Sequence, residues 1–273
     1  GNTEAAAEHT IALIMSLARN IPQAHASLRK GEWRRKEFAG VEIRGKTIGV
    51  IGLGKVGSEV ARRAMALDMP VVAYDPYVPQ EYARHLGLEL MDLDQLLRSA
   101  DFVTIHTPLT NTSRALIGAT QIKKLKAGAR IINTARGGLV DEDALYEALC
   151  SGKVAGAALD VFSEEPPPPE LKLLSHPNVV ITPHLGASTA EAQIDVAREV
   201  AEQVLTVLRG EPARFTVNAP FVAPEVHEVL GPYIPVASVL GKLVTQLSDG
   251  QFSSLVIKYS GDISEFDTTV LKA

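Results

Sequence analysis

The feature that most constrains this chain is an alternation of short apolar runs, rich in Val and Ile, with stretches of helical periodicity. The runs fall at residues 46–52 (KTIGVIG), 71–74, 102–105, 129–133, 154–159 and 179–181. Between them, helix-like patterns cover 56–67, 81–86, 93–99 and 143–149. Strands that are apolar throughout need both faces covered, and helices inserted between them supply that cover as crossovers between parallel neighbours. The pattern predicts an α/β fold built on a doubly wound parallel sheet of six strands.

Two further regions flank this alternation. Residues 4–30 place Ala7, Ile11, Ile14, Leu17 and Ala18 at helical spacing, and Pro22 interrupts the pattern. A basic stretch from Arg29 to Arg44 follows and holds the only tryptophan, Trp33. After the sixth run a long helix is expected over 189–208. Composition then shifts at Arg209-Gly210-Glu211-Pro212. A Pro-punctuated linker starts at Pro220, and a helix over 236–247 and a strand over 254–259 are expected beyond it.

Composition excludes several classes. At 273 residues, 46% hydrophobic and 22% charged, the chain can bury a core and is not of disordered type. A formal net charge of −5 argues against generalised nucleic-acid or anionic-membrane binding. No apolar run reaches the roughly 18 residues of a membrane span. The N-terminus lacks the basic-then-apolar order of a secretory signal, so the cytoplasm is the expected compartment. The single cysteine, Cys150, excludes an internal disulfide and any multi-cysteine metal site; it is expected to be half-buried and inert. No metal-ligand spacing occurs.

The first apolar run empties into Gly52-Leu53-Gly54-Lys55-Val56-Gly57, which fits G-x-G-x-x-G. Alone this pattern is weak, but here it leaves a strand and opens a helix, where free N–H groups and the helix dipole favour a pyrophosphate. Asp75 stands 23 residues after Gly52, at the end of the second strand, where a carboxylate accepts hydrogen bonds from ribose hydroxyls. Pro76 and Tyr77 follow, so no adjacent arginine is offered to a 2′-phosphate, and NAD is favoured over NADP. Lys55 could add charge near the pyrophosphate or remain solvated. The expected domain is therefore a Rossmann dinucleotide-binding domain.

Ligands of open α/β sheets bind beyond the carboxyl ends of the strands. The residues there are His106-Thr107 after the third strand, Thr134-Ala135-Arg136-Gly137-Gly138 after the fourth, Asp160 after the fifth and Pro183-His184-Leu185-Gly186 after the sixth. Glu164 and Glu165 lie in the loop between the last two strands. Arg136 can hold a carboxylate bidentately, with its paired glycines permitting close approach to a ligand. His184 can take a proton from a hydroxyl as hydride leaves, with a carboxylate on its other ring nitrogen fixing the tautomer. Asp160 is placed to accept from a nicotinamide carboxamide, and Thr107 is a better cofactor contact than His106, which reads as packing. Histidines 9, 25, 85, 176 and 227 have no constellation around them.

The segments NTEAAAEHTIAL, GKTIGVIGLGKVG, YDPY, ADFVTIHTPLT, INTARGGLVDEDAL, AGAALDVFSEEP and TPHLGASTAEAQ resemble motifs of the D-isomer-specific 2-hydroxyacid dehydrogenases over nearly the whole chain. The resemblance implies a catalytic triad of Arg136, Glu165 and His184, which chooses between the two glutamates. It also implies cofactor contacts at Lys55, Val56, Asp75, Thr107, Thr134, Ala135, Asp160, His184, Leu185, Gly186 and Ala187. Within the family it points to NAD-dependent oxidation of 3-phosphoglycerate to 3-phosphohydroxypyruvate, the opening step of L-serine synthesis. A relative acting on glyoxylate or hydroxypyruvate, or a NAD-sensing corepressor-like binding protein, are the alternatives.

The implied organisation is a cofactor domain over 1–186 with an N-terminal dimerisation helix, and a helix over 187–212 returning to a substrate domain that is mostly absent. A linker and the start of a regulatory domain would occupy 213–273. The residues that recognise the substrate phosphate are then expected outside this sequence. A homodimer or higher homo-oligomer is the expected assembly.

Overall fold

The computed structural model describes residues 2–209, 211, 213, 229–248, 254, 256–266 and 268. The chain divides into two units, Gly1–Asp195 and Val196–Ala273. The first is built on a parallel sheet of seven strands: β1 Ile48–Ile51, β2 Val71–Tyr74, β3 Glu89–Leu90, β4 Phe102–Ile105, β5 Ala129–Asn133, β6 Val154–Leu159 and β7 Val179–Ile181. Their order across the sheet is β3-β2-β1-β4-β5-β6-β7. Every pairing is parallel. The topology reverses between β1 and β4, and that switch point opens the crevice in which this class of sheet binds ligands.

Six strands were expected and seven form. The extra one, β3, has two residues and pairs only with β2 at the sheet edge, so it carries no apolar run to reveal it. The helices are α1 Thr3–Ala18, α2 Ile21–Arg29, α3 Lys55–Ala66, α4 Gln80–His85, α5 Leu93–Ser99, α6 Ala119–Lys124, α7 Glu142–Cys150 and α8 Ala190–Leu208. The short α6 lies in a stretch where periodicity predicted nothing. The break foreseen at Pro22 falls two residues earlier, where Asn20 adopts a left-handed φ of 52°. Pro22 itself sits in the first turn of α2, where a missing N–H is harmless.

Both faces of the sheet are sealed, and adjacent strand residues go to opposite sides. Val103, Ile131, Ala157 and Val179 join one apolar cluster, with Leu96, Leu97, Leu145 and Leu149 from α5 and α7. Phe102, Ile132, Ala158 and Val180 join the other, against Leu13, Ile14 and Leu17 of α1. Each of these α1 side chains is at most 5% exposed, and burying one contributes about 1.5–3 kcal/mol. The opening helix is thus part of the core of the cofactor domain, packed on β5, β6, β7 and α3.

The second unit contains the end of α8 and a helix α9, Ile234–Leu247. The strand expected over 254–259 does not form among the described residues, where Ser254 and residues 256–259 have no regular structure. A strand persists only with a partner ladder, and none is present there. The linker expected from Pro220 and His227 lie outside the described residues. Cys150, expected to be half-buried, is exposed at the end of α7. No helix among the described residues is long and apolar enough to cross a membrane.

Candidate active site

The glycine turn follows β1 and its geometry is fixed by the backbone. Gly52 has a φ of 94°, and a Cβ there would stand 2.7 Å from the His106 carbonyl oxygen. A Cβ on Gly57 would stand 1.9 Å from the carbonyl oxygen of Gly52, so helix α3 can start only this close to the strand without a side chain. Gly54 caps α3 and faces open space, and Lys55 and Val56 are the first two residues of the helix. Asp75, at the end of β2, accepts from the Leu53 amide at 2.8 Å and from the Tyr77 amide at 2.9 Å. It therefore ties the glycine turn to β2.

His106 lies behind this turn with Nε2 2.9 Å from the Thr104 hydroxyl. Burial pushes its imidazole down to about 3, so it is neutral packing rather than a proton carrier. The neighbouring Thr107 presents a buried hydroxyl with no partner among the described residues. An unmade hydrogen bond of that kind is costly. Together with the open space at Gly54, it fits a dinucleotide lying along the turn.

The other end of the edge is built from side chains. After β5, buried Asn133 accepts from the Ala135 amide at 3.1 Å and donates to the Arg136 carbonyl at 2.9 Å, shaping the loop that exposes the Arg136 guanidinium. The close approach expected at the paired glycines is to the protein's own backbone: a Cβ on Gly137 would stand 1.7 Å from the Phe162 carbonyl oxygen. The arginine loop is thereby pressed against the loop of the glutamates. There Glu165 accepts from the Phe162 amide through Oε1 at 3.1 Å, and its Oε2 lies 2.7 Å from Nδ1 of His184. Glu165 and His184 are thus in direct contact, whereas the Arg136 guanidinium is exposed and donates to the Ala135 carbonyl at 2.6 Å. Glu164 has no part in the contact with His184.

Burial alone would raise the Glu165 carboxyl, but hydrogen bonds from His184 and the Phe162 amide outweigh it and hold it below the ordinary carboxylate range. An ionised Glu165 can only accept, so Nδ1 of His184 carries a proton and Nε2 is left for substrate. His184 has a φ of 56°, unusual for a residue with a side chain. Asp160 holds this turn. Its main-chain oxygen accepts from the His184 amide at 2.8 Å, while Oδ1 accepts from Leu185 at 2.8 Å and Oδ2 from Gly186 at 2.9 Å.

Asp160 is buried, which alone would raise its pKa; hydrogen bonds from His9, Thr182 and Leu185 prevail and keep it below the usual range. Ala187 completes the turn and accepts from Gln193 at 3.2 Å. The Thr134 hydroxyl meets that of Thr10 at 2.8 Å.

His9 corrects the expectation that it stands alone. Its Nε2 lies 3.1 Å from both Asp160 Oδ1 and Thr182 Oγ1, across 151 and 173 residues of sequence. His176 also has partners, the Asn178 amide and the ring of Tyr146, both of a packing kind. Asn133 and Thr182 were missed with His9. The one local signal was a pair of polar residues, His9-Thr10, inside an otherwise Ala- and Leu-rich helix.

A parallel sheet in this order, a glycine turn tied to an acidic residue on the next strand, and a His–Glu pair along the same edge define a NAD-dependent dehydrogenase domain. The chain belongs to the D-isomer-specific 2-hydroxyacid dehydrogenases: residues 11–186 match the family described as D-isomer specific 2-hydroxyacid dehydrogenase, NAD binding domain. It is 51% identical to D-3-phosphoglycerate dehydrogenase 2, chloroplastic, of Arabidopsis thaliana, over 100% of this chain and 44% of that one. It is 45% identical to D-3-phosphoglycerate dehydrogenase of Bacillus subtilis, over 99% of this chain and 51% of the relative.

The chain thus spans about half the length of the curated relatives it matches. Among solved structures, D-lactate dehydrogenase from Aquifex aeolicus, complexed with NAD and lactic acid, superposes with a TM-score of 0.70 at 32% identity. That match covers 77% of this chain and 67% of the other. The TT0316 protein from Thermus thermophilus gives 0.72 at 38% identity, over 78% and 68%.

Proposed function

We propose that the protein carrying this chain oxidises 3-phosphoglycerate to 3-phosphohydroxypyruvate with NAD, opening L-serine synthesis. The observation that carries this reading is the His184–Glu165 pair, held at 2.7 Å on the edge of a cofactor sheet. The choice of substrate is supported by identities of 45–51% to relatives named for it, against 32% to the D-lactate dehydrogenase structure above.

In this reading Arg136 binds the substrate carboxylate and orients the C2 hydroxyl towards His184. Nε2 of His184 takes the hydroxyl proton, and ionised Glu165 stabilises the imidazolium through Nδ1. Gly52, Gly54, Lys55, Val56 and Gly57 line the pyrophosphate, Asp75 the ribose, and Thr107, Thr134, Ala135, Asp160 and the 184–187 turn the nicotinamide end. When bound, NAD supplies the acceptor for the C2 hydride.

Residues 187–212 would lead back to a substrate domain and 213–273 into a further one. The segment with Trp33, whose side chain is 80% exposed, would contribute to a homodimer in the cytoplasm. Steady-state NADH formation by the intact protein tests the reading. Turnover with 3-phosphoglycerate far above that with lactate, glycerate or glycolate is expected. A preference for an unphosphorylated hydroxy acid would redirect it to another dehydrogenase, and tight NAD binding without turnover of any would make it a NAD-sensing binding protein.

A further inference from the structure

We propose that His9, on the opening helix, is a positioning residue for His184 and acts through Asp160. The proton on His9 can be located. Ionised Asp160 has no hydrogen to give, and the Thr182 hydroxyl donates its own to Asp160 Oδ1. Nε2 of His9, 3.1 Å from both oxygens, is therefore the N–H donor to this pair.

What His9 steadies is the carboxylate on which the catalytic turn hangs. Asp160 has no exposed side-chain surface, and with its main-chain oxygen it receives three consecutive amides, those of His184, Leu185 and Gly186. These bonds keep His184 in its left-handed conformation, and with it the direction in which the imidazole meets Glu165. Amides of the turn hold both carboxylate oxygens, Leu185 on Oδ1 and Gly186 on Oδ2, and Oδ1 also receives Thr182 and His9. The contact from His9 enters from α1, a different element.

Helix α1 is suited to this because it is anchored on two sides. Next to His9, Thr10 meets Thr134 after β5. Arg63 of the cofactor helix α3 pairs with Glu4 and Glu8 one turn away. Residues 9 and 10 thus brace two loops that carry candidate site residues, from a helix outside the crossover sequence of the sheet.

The proposal rests on His184 being the proton-carrying group, and the test separates the two. In the intact enzyme, kcat and KM for 3-phosphoglycerate, NAD affinity by fluorescence, and thermal unfolding are measured for H9L, H9N, H9Q and H184A. A misdirected catalytic group costs about tenfold to a hundredfold in kcat. H9L is expected to lose about tenfold in kcat with NAD affinity within about twofold. The terminal amide of Gln reaches where Nε2 lies, so H9Q should recover to within about threefold of wild type, whereas the shorter H9N should behave like H9L. If H9L does not fold, the H9Q–H9N difference decides. Equal kcat for H9Q and H9N, or an unchanged kcat in H9L, would overturn the role of His9. An unchanged kcat in H184A would instead remove the mechanism on which it rests.

Discussion

The two ends of the sheet edge are made of different materials. At β1 and β2 the glycine turn is shaped by what is missing: side chains at Gly52 and Gly57 that the neighbouring carbonyls leave no room for. At β5 to β7 the site is shaped by what is present: Asn133 and Asp160 fix the loops through their backbone, and Glu165 meets both the Phe162 amide and His184. The first construction places amides for a ligand that needs binding. The second, in the proposed function, places titratable groups for a substrate that needs a proton moved. The backbone end should therefore govern cofactor affinity and the side-chain end turnover.

The largest effect should come from the side-chain end. His184→Ala removes the proton acceptor and is expected to lower kcat about a thousandfold, about 4 kcal/mol of barrier, with NAD affinity within about twofold. Single-turnover kinetics beside NAD titration would show it, and comparable losses in both would dissolve the division of labour. Gly57→Ala is the counterpart at the backbone end. Its Cβ is due 1.9 Å from the Gly52 oxygen, so urea unfolding should show a loss of about 2–3 kcal/mol. NAD binding should weaken while kcat at saturating NAD changes little.

His106, just after β4 where the two ends meet, yields a pH-dependent effect. Its folded-state pKa, about 3, lies below its unfolded value of about 6.5, so the unfolded chain takes the proton first. Stability is complete above about pH 6.5 and is lost towards about pH 3, by roughly 1.4 kcal/mol per unit and so about 2 kcal/mol at pH 5. His106→Gln should lack that portion of the acid sensitivity, and equal sensitivity in variant and wild type would place the burial elsewhere. The smallest effect belongs to Asp75→Ala. It should weaken NAD about tenfold, about 1.4 kcal/mol, and narrow the preference over NADP. An unaltered preference would take the ribose contact away from Asp75.

The same division decides what could be read in advance. The glycine turn is contiguous in sequence, and the rule that ligands lie beyond strand ends nominated Asp75, Arg136, Asp160 and His184 as candidates without coordinates. Choosing Glu165 over Glu164 took family resemblance, and the contact with His184 agrees with it. His9 was legible by neither route, because its partners are 151 and 173 residues away and a polar pair in a helix does not say what it will meet. Strand β3 escaped because two residues show no period, and the close approach of Gly137 was assigned to a ligand when its neighbour is the Phe162 backbone.

The distance between His9 and Asp160 also has a meaning in time. At about 5–20 residues per second on the ribosome, 151 residues separate their synthesis by roughly 8–30 s. Within that interval β1, β4, β5 and β6 are made in turn, so Leu13, Ile14 and Leu17 gain their cover piece by piece. Val180 of β7, made after Asp160, completes the cluster around the opening helix. The turn from His184 to Gly186, which Asp160 holds, is made later still, so the contact between His9 and Asp160 ties the first helix of the domain to one of its last loops.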